Sequence, residues 1–232
     1  MSADAFDWEG YWRDAGDAEY DESGPSAGHV SDVLCEFVAG RPAGPVADVG
    51  CGPGAATFAL AERFPDREVV GYDTAEAVLA ENRERAADRG LDNVSFERAT
   101  LPAFDPDREF AVVACHFTLL YVRDVERALS NLHDAVAPGG ALVFNYGNRA
   151  LRDFLRVAAD DPHAHTDRPF VFDPEDYTAR FGPLLEGDSV LSRERIDDAV
   201  GTWPRDVYTV VERPDVRWAW HHLPHVFVPN PD

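Results

Sequence analysis

A glycine-rich run from Asp48 to Gly54 has the residue types and spacing needed to hold a ligand against the backbone. Gly50, Gly52 and Gly54 lack side chains, so the main chain could approach a ligand closely. Dinucleotide-binding turns have the spacing G-x-G-x-x-G, whereas the third glycine here comes one residue early. Asp48 would repel a pyrophosphate but could orient an ammonium group. The run therefore favours a ligand that carries a positive charge.

A second acid, Asp73, ends the apolar segment Glu68–Tyr72 and lies about 20 residues after Gly52. An acid at the end of a second strand is placed to accept hydrogen bonds from both hydroxyls of an adenosine ribose. The alternative is a plain N-cap for the helix predicted to start at Ala75. Because the glycine run lies upstream, we favour ribose binding.

The candidate catalytic residues, His116 and Tyr121, follow the apolar segment Phe110–Cys115. Histidine titrates near neutral pH, so His116 could take a proton from a second substrate. It could equally be a wall residue whose backbone lines the ligand. Tyr121 could contact the second substrate or belong to the core.

Aromatic residues near the start of the sequence form a further candidate group. Tyr11, Trp12 and Tyr20 stand among acids and glycines. Aromatic faces attract cations, so these rings could close over a cationic ligand. A packed N-terminal helix is the alternative, and both interpretations stay open.

These residues need a scaffold in which short apolar strands alternate with helices. Strands are predicted at Val46–Val49, Glu68–Tyr72, Val94–Phe96, Phe110–Cys115 and Ala141–Tyr146, and helices at Ser26–Val38, Ala55–Phe64, Ala75–Arg89 and Val125–Val136. Continuous apolar strands separated by helices indicate a parallel sheet that is covered on both faces.

The alternation of strands and helices ends after Asn148. Helices are predicted at Ala150–Ala159 and Pro174–Phe181, and late strands at Val190–Ile196 and Val207–Glu212. The tail Arg217–Pro231 is rich in aromatic residues, histidine and proline, and its sequence has no clear periodicity.

The run from Val46 to Asn145 resembles the class I S-adenosylmethionine-dependent methyltransferases that act on small molecules. Asp48–Gly54 looks like their first motif and Asp73 like their ribose-binding acid. The other matching segments are Leu101-Pro102, Phe117–Val122 and Ala137–Gly140. The sequence departs from the family at Ala99, where an acid usually faces the adenine amino group, and at Ala111, where the fourth strand often has Asp.

The resemblance implies an α/β fold with a Rossmann-like, doubly wound, mostly parallel seven-stranded sheet and helices on both faces. It implies S-adenosyl-L-methionine as cofactor and S-adenosyl-L-homocysteine as product. The methyl group would be transferred to an O, N or S atom of a small-molecule acceptor, with a C atom as a further option. The residues expected at the cofactor are Asp48, Gly50, Cys51, Gly52, Gly54, Asp73, Thr74, Ala99, Thr100, Cys115 and His116.

The resemblance also suggests how the chain is divided. We expect a helical lid at residues 1–40, the cofactor-binding core at 41–148, an inserted substrate cap at 149–187, and late strands with an aromatic tail at 188–232. The lid and the cap are expected to cover the methyl group.

Two other function classes stay open. The chain could bind S-adenosylmethionine as a regulator or partner subunit without transferase activity. An NAD-type oxidoreductase is disfavoured by the early third glycine and by Asp48.

Composition narrows the partners. The formal net charge is −22, with 43 acidic and 21 basic residues, and every basic residue is arginine. Because the acids are spread along the chain, we interpret them as adaptation to a salty cytoplasm, where salt screens their repulsion; a basic partner is the alternative. The charge disfavours nucleic acid as substrate. No signal peptide and no membrane span is expected, and we expect a cytoplasmic location.

Neither the cysteines nor the late histidines predict a metal site. Cys35, Cys51 and Cys115 are odd in number and widely spaced, which fits small buried residues better than a disulfide framework or metal knuckle. His221, His222 and His225 stand in a segment that is typical of a packed tail. We expect no bound metal.

Overall fold

Seven strands form one sheet in the computed structural model, which describes residues 6–17, 19–20, 25–161, 177–212 and 221–231. They are β1 (Val46–Val49), β2 (Val69–Asp73), β3 (Val94–Arg98), β4 (Phe110–Cys115), β5 (Val136–Asn145), β6 (Arg205–Asp206) and β7 (His225–Pro229). Their order is β3-β2-β1-β4-β5-β7-β6. The first five strands pair in parallel, and β7 is antiparallel to both its neighbours. The predicted fold class is confirmed.

The helices lie on both faces of this sheet and above the carboxyl ends of its parallel strands. They are α1 (Trp8–Asp14), α2 (Pro25–Ala39), α3 (Ala55–Arg63), α4 (Glu76–Arg89), α5 (Val125–Asp134), α6 (Arg149–Asp160), α7 (Tyr177–Glu186) and α8 (Arg193–Val200). Residues of α2 and α3 pack on one face of the sheet, and α5 and α8 pack on the other. Every residue of β1, β2 and β4 is buried, which explains why these strands are apolar without alternation.

The two late strands predicted at Val190–Ile196 and Val207–Glu212 are wrong. The first segment leads into α8, because the Ser192 side chain accepts a hydrogen bond from the Arg195 N–H at 3.2 Å and starts the helix. The second forms a one-turn 3-10 helix at Val207–Thr209, which the Asp206 side chain caps through the Tyr208 N–H. Local capping residues therefore decide both segments against extended structure.

The tail contains a strand that periodicity did not predict. β7 inserts between β5 and β6, and four of its five residues are buried. A strand with neighbours on both edges and helices on both faces has no polar side, so no alternation marks it.

Two further boundaries differ from the prediction. Strand β5 begins at Val136 and runs through the Pro-Gly-Gly turn, with a register shift against β4 between Phe110 and Val112. Helix α7 begins at Tyr177 and continues to Glu186 with Pro183 inside it, while residues 174–176 of the predicted helix lie outside the described residues.

Helices α6 and α7 share a separate apolar cluster above the carboxyl ends of the parallel strands. Leu151, Leu155, Tyr177, Phe181 and Leu184 pack there with Leu120, which belongs to a 3-10 turn after β4. The cluster attaches these two helices to the loop that follows β4. None of the helices in the described ranges is long and apolar enough to span a bilayer.

Replacing Phe227 by Ala should lower the free energy of unfolding by about 3–5 kcal/mol, as measured by equilibrium urea unfolding. The Phe227 ring is buried in β7, packs 5.2 Å from the Phe37 ring and lies under the Arg41 guanidinium. The matched control is Val210→Ala, at an exposed position, where a change within about 0.5 kcal/mol is expected. A loss below about 1 kcal/mol for Phe227→Ala would contradict a central place for β7.

Candidate functional site

A cavity of about 790 Å³ opens at the carboxyl ends of β1, β2 and β4. Of the predicted site residues, those that line it are Asp48, Gly50, Cys51, Gly52, Asp73, Thr74, Ala99, Thr100, His116, Tyr121 and Trp12. Gly54, Cys115, Tyr11 and Tyr20 are not part of this lining. The position agrees with the general rule that ligands bind where neighbouring helices of an open α/β sheet leave in opposite directions.

The glycine turn is shaped by two close approaches. Gly50 has φ of 76°, and a Cβ on it would lie 2.1 Å from the Thr118 Oγ1, so only glycine fits between β1 and the loop after β4. Gly52 has φ of 48°, and a Cβ on it would lie 3.3 Å from the Trp12 ring. The turn thus leaves a bare stretch of backbone that faces the cavity beneath Trp12.

Two residues of α4 hold this turn from behind, and sequence reasoning missed both. The Asn82 side-chain amide donates to the Gly52 carbonyl at 2.8 Å, and the Arg85 guanidinium donates to the Pro53 carbonyl. Asn82 is polar, yet it is fully buried on the same helix face as Val78, Leu79 and Ala86. A polar residue at a core position of an amphipathic helix was the available signal, since buried amides need partners.

Asp48 lies under the glycine turn and lines the cavity. Its carboxylate accepts a hydrogen bond from the Thr57 hydroxyl at 2.7 Å. Burial raises the pKa of Asp48 to about 6, the Thr57 hydrogen bond lowers that pKa in part, and nearby Asp73 raises it again. A desolvated carboxylate of this kind would gain stability from a cationic group bound in the cavity.

Asp73 joins the glycine turn to the end of β2. One carboxylate oxygen accepts the Gly52 N–H at 3.0 Å, and the other accepts the Ala75 N–H at 3.1 Å. Burial raises the Asp73 pKa, and these backbone hydrogen bonds partly offset the increase. The N-cap of α4 is Ala75, so Asp73 holds the residue before the helix and is not itself the cap that was considered from the sequence. Each carboxylate oxygen has a further lone pair, so these bonds leave capacity for ligand hydroxyls.

The edge of the cavity beyond Asp73 is formed by the turn after β3. The Thr74 and Thr100 hydroxyls are hydrogen-bonded at 2.8 Å, and the Ala99 N–H donates to the Asp73 carbonyl at 2.9 Å. Ala99 is partly buried against the core. The cavity therefore has a methyl group at the position where the family that the sequence resembles usually has an acid.

His116 lines the cavity and forms a buried pair with His225 of β7. The two Nε2 atoms are 2.6 Å apart, so one ring donates and the other accepts. Burial lowers the pKa of His116 to about 3 and that of His225 well below its usual range. His116 is therefore a neutral, weakly basic ring at physiological pH, which favours the wall role over the base role. Pairing with His225 depends on the strand that the sequence did not reveal.

Asn145, at the end of β5, holds the loop after β4 in a strained conformation. Its side-chain oxygen accepts the Phe117 N–H at 2.7 Å, and Phe117 has φ of 54°. The next residue, Thr118, donates to the His116 carbonyl at 2.9 Å and covers Gly50. Asn145 was not among the predicted site residues, yet it fixes the start of the loop that carries seven cavity residues, which are His116, Phe117, Thr118, Tyr121, Val122, Arg123 and Asp124.

The aromatic residues of the N-terminal segment lie in two groups. Trp12 faces Gly52, and Tyr20 packs behind it with ring centroids 5.7 Å apart. Tyr11 instead lies beside the Arg180 guanidinium of α7, at 4.6 Å. Two rings that were not predicted as site residues, Phe6 and Trp8, line the cavity. Helix α1 therefore supplies aromatic faces to the cavity both beside the glycine turn and beside Arg180.

Comparison with known proteins gives the same assignment for the core. A family model described as a methyltransferase domain matches residues 46–140. Trans-aconitate 2-methyltransferase of Variovorax paradoxus is 38% identical over 124 residues, which are 51% of this chain and 46% of that protein. Demethylmenaquinone methyltransferase of Thermus thermophilus is 39% identical over 98 residues, which are 42% and 44% of the two chains. The chain spans about half the length of the curated relatives it matches.

Solved structures show the same fold over a longer stretch. An O-methyltransferase family protein from Burkholderia thailandensis aligns with a TM-score of 0.60 at 16% identity, covering 93% of this chain and 59% of that one. Magnesium protoporphyrin IX methyltransferase from Synechocystis, solved with S-adenosylhomocysteine, aligns with a TM-score of 0.56 at 13% identity, covering 87% and 82%. The fold and the matched domain together show that residues 46–140 of this chain resemble a methyltransferase domain.

Proposed function

We propose that this protein transfers a methyl group from S-adenosyl-L-methionine to a small-molecule acceptor. The observation that carries the proposal is the cavity itself, where a bare glycine turn lies between Asp48 and Asp73 and continues into a half lined by rings. Its volume of about 790 Å³ lies within the range of roughly 300–1,000 Å³ that is usual for small-molecule sites.

The residues present fit this cofactor. A Cβ at Gly52 would fill the space in front of the turn, so the backbone there is suited to a closely bound ligand. Asp73 would accept hydrogen bonds from the ribose hydroxyls. The Asp48 carboxylate, which lies under the glycine turn, would attract the ammonium group of the cofactor. Ala99, Thr100 and Leu101 line the side of the cavity where the adenine would be held.

The chemistry requires alignment more than proton transfer. When bound, S-adenosylmethionine supplies a methyl group on a positively charged sulfur, which is a good leaving group. The work of this chain is then to hold an acceptor atom in line and exclude water. His116, a neutral ring with a lowered pKa, would form a wall of this space. Tyr121 would place its ring and its hydroxyl beside the methyl acceptor.

The acceptor half draws on the segments expected to cover the methyl group. Helix α1 supplies Trp8 and Trp12, and Phe6 lies just before this helix. Helix α7 supplies Ala179, Arg180 and Pro183. This arrangement supports the proposed lid at 1–40 and cap at 149–187. Relatives named for different acceptors share the core with this chain, so the acceptor is selected by these segments.

Binding and turnover provide the test. S-adenosylhomocysteine should raise the unfolding temperature while NADH leaves it unchanged, because only a specific ligand stabilises the folded state by mass action. Methyl transfer from labelled S-adenosylmethionine to a panel of small molecules then separates an enzyme from a binding protein. Stabilisation by NADH alone would contradict the proposal.

Replacing Gly52 by Val should reduce S-adenosylhomocysteine affinity at least about 100-fold in calorimetry, because the side chain would enter the ligand space and meet Trp12. The control is Gly90→Val. Gly90 has a similar φ of 65°, but a Cβ there meets nothing within 4 Å, so the backbone strain is matched without a steric effect at the cavity. Equal affinities for the two variants would contradict the assignment of the turn.

Replacing Asp73 by Asn should lower cofactor affinity at least about tenfold, since charge-assisted hydrogen bonds contribute roughly 1.5–3 kcal/mol. Because Asp73 also holds Gly52, the ribose role is isolated by comparing S-adenosylhomocysteine with its 2′-deoxy analogue. The wild-type protein should bind the analogue less tightly, and Asp73→Asn should bind both about equally. Undiminished discrimination by Asp73→Asn would reduce Asp73 to a structural role.

Cofactor affinity should fall about tenfold between pH 7 and pH 5, because Asp48 takes up a proton below its pKa of about 6 and then no longer attracts an ammonium group. Asp48→Asn should bind weakly at both pH values. In the native protein, the hydrogen bond from Thr57 lowers the Asp48 pKa. Thr57→Val removes this hydrogen bond, so the midpoint of the affinity change should move to higher pH. Calorimetry at a series of pH values measures each effect.

Stability should show the opposite trend from the same residue. The folded-state pKa of Asp48 is above its ordinary value, so the folded protein binds more protons than the unfolded chain between about pH 4 and pH 6. The contribution of Asp48 to the free energy of unfolding therefore falls as pH rises through this window. If the cofactor affinity of Asp48→Asn kept the wild-type pH dependence, a group other than Asp48 would be responsible for the pH dependence of binding.

A further inference from the structure

Two arginines lie beside one buried ring near the sheet edge that β6 forms. Arg41, in the loop between α2 and β1, has its guanidinium carbon 4.2 Å from the Phe37 ring centroid and 5.0 Å from the Phe227 ring centroid. Arg205 of β6 pairs directly opposite Phe227 of β7, so its side chain projects from the same face of the sheet. Both arginine side chains therefore flank the Phe227 ring. Neither arginine lines the cavity described above.

The carboxylates nearest to this pair along the chain do not neutralise it. Asp206 follows Arg205 in β6, so it projects from the opposite face, where its side chain accepts the Tyr208 N–H at 2.9 Å. Glu36 of α2 is exposed and forms no ion pair with either arginine. Among the residues that the structure describes, no carboxylate lies within ion-pairing distance of Arg41 or Arg205, and neither guanidinium donates a hydrogen bond.

The two positive charges repel each other, although the chain has 43 acidic residues that could have paired with them. Burial lowers the pKa of Arg41, and the charge of Arg205 lowers that pKa further. The Arg41 Nε–H is also buried and has no acceptor within the described ranges, which is uncommon for a buried donor. An anion held between the two side chains would remove the repulsion.

The loop that carries Arg41 is held in place by contacts within the protein. The Arg67 guanidinium donates to the Arg41 carbonyl at 3.1 Å and to the Pro42 carbonyl at 3.0 Å. The Arg41 N–H donates to the Val38 carbonyl at 3.1 Å. The ring of Phe227 attracts the Arg41 guanidinium and restricts its side chain. Little conformational freedom is then left for an anion to remove on binding.

The number of donors favours one class of anion. Each guanidinium presents a planar fork of N–H groups that two oxygens can accept together. A carboxylate has only two oxygens and satisfies one fork, whereas a phosphate has enough oxygens for both. The net charge of −22 opposes the approach of an anion, but salt at 0.1 M screens charges that are more than about 10 Å away.

We propose that Arg41 and Arg205 form a binding site for a tetrahedral oxyanion, either inorganic phosphate or the phosphate group of a small ester. The site lies on the sheet face that α2 covers, and it does not depend on the proposed function. A bound phosphate would link the loop before β1 to the edge strand β6. We therefore expect phosphate to stabilise the antiparallel side of the sheet.

The test measures phosphate binding to the full-length protein by calorimetry and by thermal unfolding, with the ionic strength kept constant by sodium chloride. Phosphate at about 10 mM should raise the unfolding temperature by at least about 2 °C through mass action. Arg41→Met and Arg205→Met should each lower phosphate affinity at least about tenfold, and Arg41→Lys at least about threefold, because lysine lacks the planar fork. Without phosphate, Arg205→Met should unfold at the same temperature as the wild-type protein or higher, because the repulsion is removed.

The control variant is Arg149→Met, which removes an exposed arginine at the start of α6 and should bind phosphate as the wild-type protein does. Glycerol phosphate is titrated beside inorganic phosphate. Tighter binding of the ester identifies a phosphate ester as the ligand, and weaker or equal binding identifies the free ion.

The inference is overturned if phosphate does not bind to the wild-type protein, or if Arg41→Met and Arg205→Met bind it normally. An equal loss of phosphate by Arg149→Met would also overturn it, because the effect would then be one of overall charge. Circular dichroism verifies the folding of each variant. Arg205 is exposed, so Arg205→Met decides the test if Arg41→Met is unstable.

Discussion

The hydrogen bond from the Gly52 N–H to the Asp73 carboxylate is the contact on which the site depends. It ties the turn after β1 to the end of β2, and the same carboxylate accepts the N–H of Ala75, the residue before α4. Helix α4 in turn supports the turn through Asn82. Three elements thus meet at one buried acid, so the glycine backbone is held in place before any ligand arrives. Such preorganisation reduces the entropy that binding must overcome.

The parts of the fold that the sequence predicted are those with strong local signals. Strands β1, β2 and β4 are fully buried, so their apolar runs are continuous, and the turns between them have glycines that the geometry requires. The predicted positions of Asp48, Asp73 and His116 followed from these strand ends. The long-range partners did not follow, because nothing in the sequence near His116 refers to His225, which is more than 100 residues away.

The errors have a common physical origin. Val190–Ile196 and Val207–Glu212 contain β-branched residues that favour strands, but capping by Ser192 and Asp206 offers the backbone local hydrogen bonds instead. Strand β7 was missed because its pairing partners lie far away in sequence and its environment has no polar face. Asn82, Asn145 and Arg180 were overlooked because a buried polar residue has meaning only once its partner is known.

The cavity is divided between two kinds of structure. The parallel strands and α4 supply the acids and the bare backbone, while α1, α7 and the loop after β4 supply rings and Arg180. Helices α6 and α7 contact the core through the cluster that contains Leu120 and Tyr177. Changes in α7 can therefore alter the part of the cavity that this helix lines without disturbing the buried sheet.

The antiparallel strand β7 also has a consequence for biosynthesis. It covers the edge of β5, yet it begins about 80 residues after β5 ends. At typical elongation rates this interval takes about 4–16 s, during which β5 of the nascent chain has an unpaired, apolar edge. Open edges of this kind can pair with other chains. The sheet can only close after β7 leaves the ribosome, so the nascent chain needs protection over that interval, by its own acidic charge or by a chaperone.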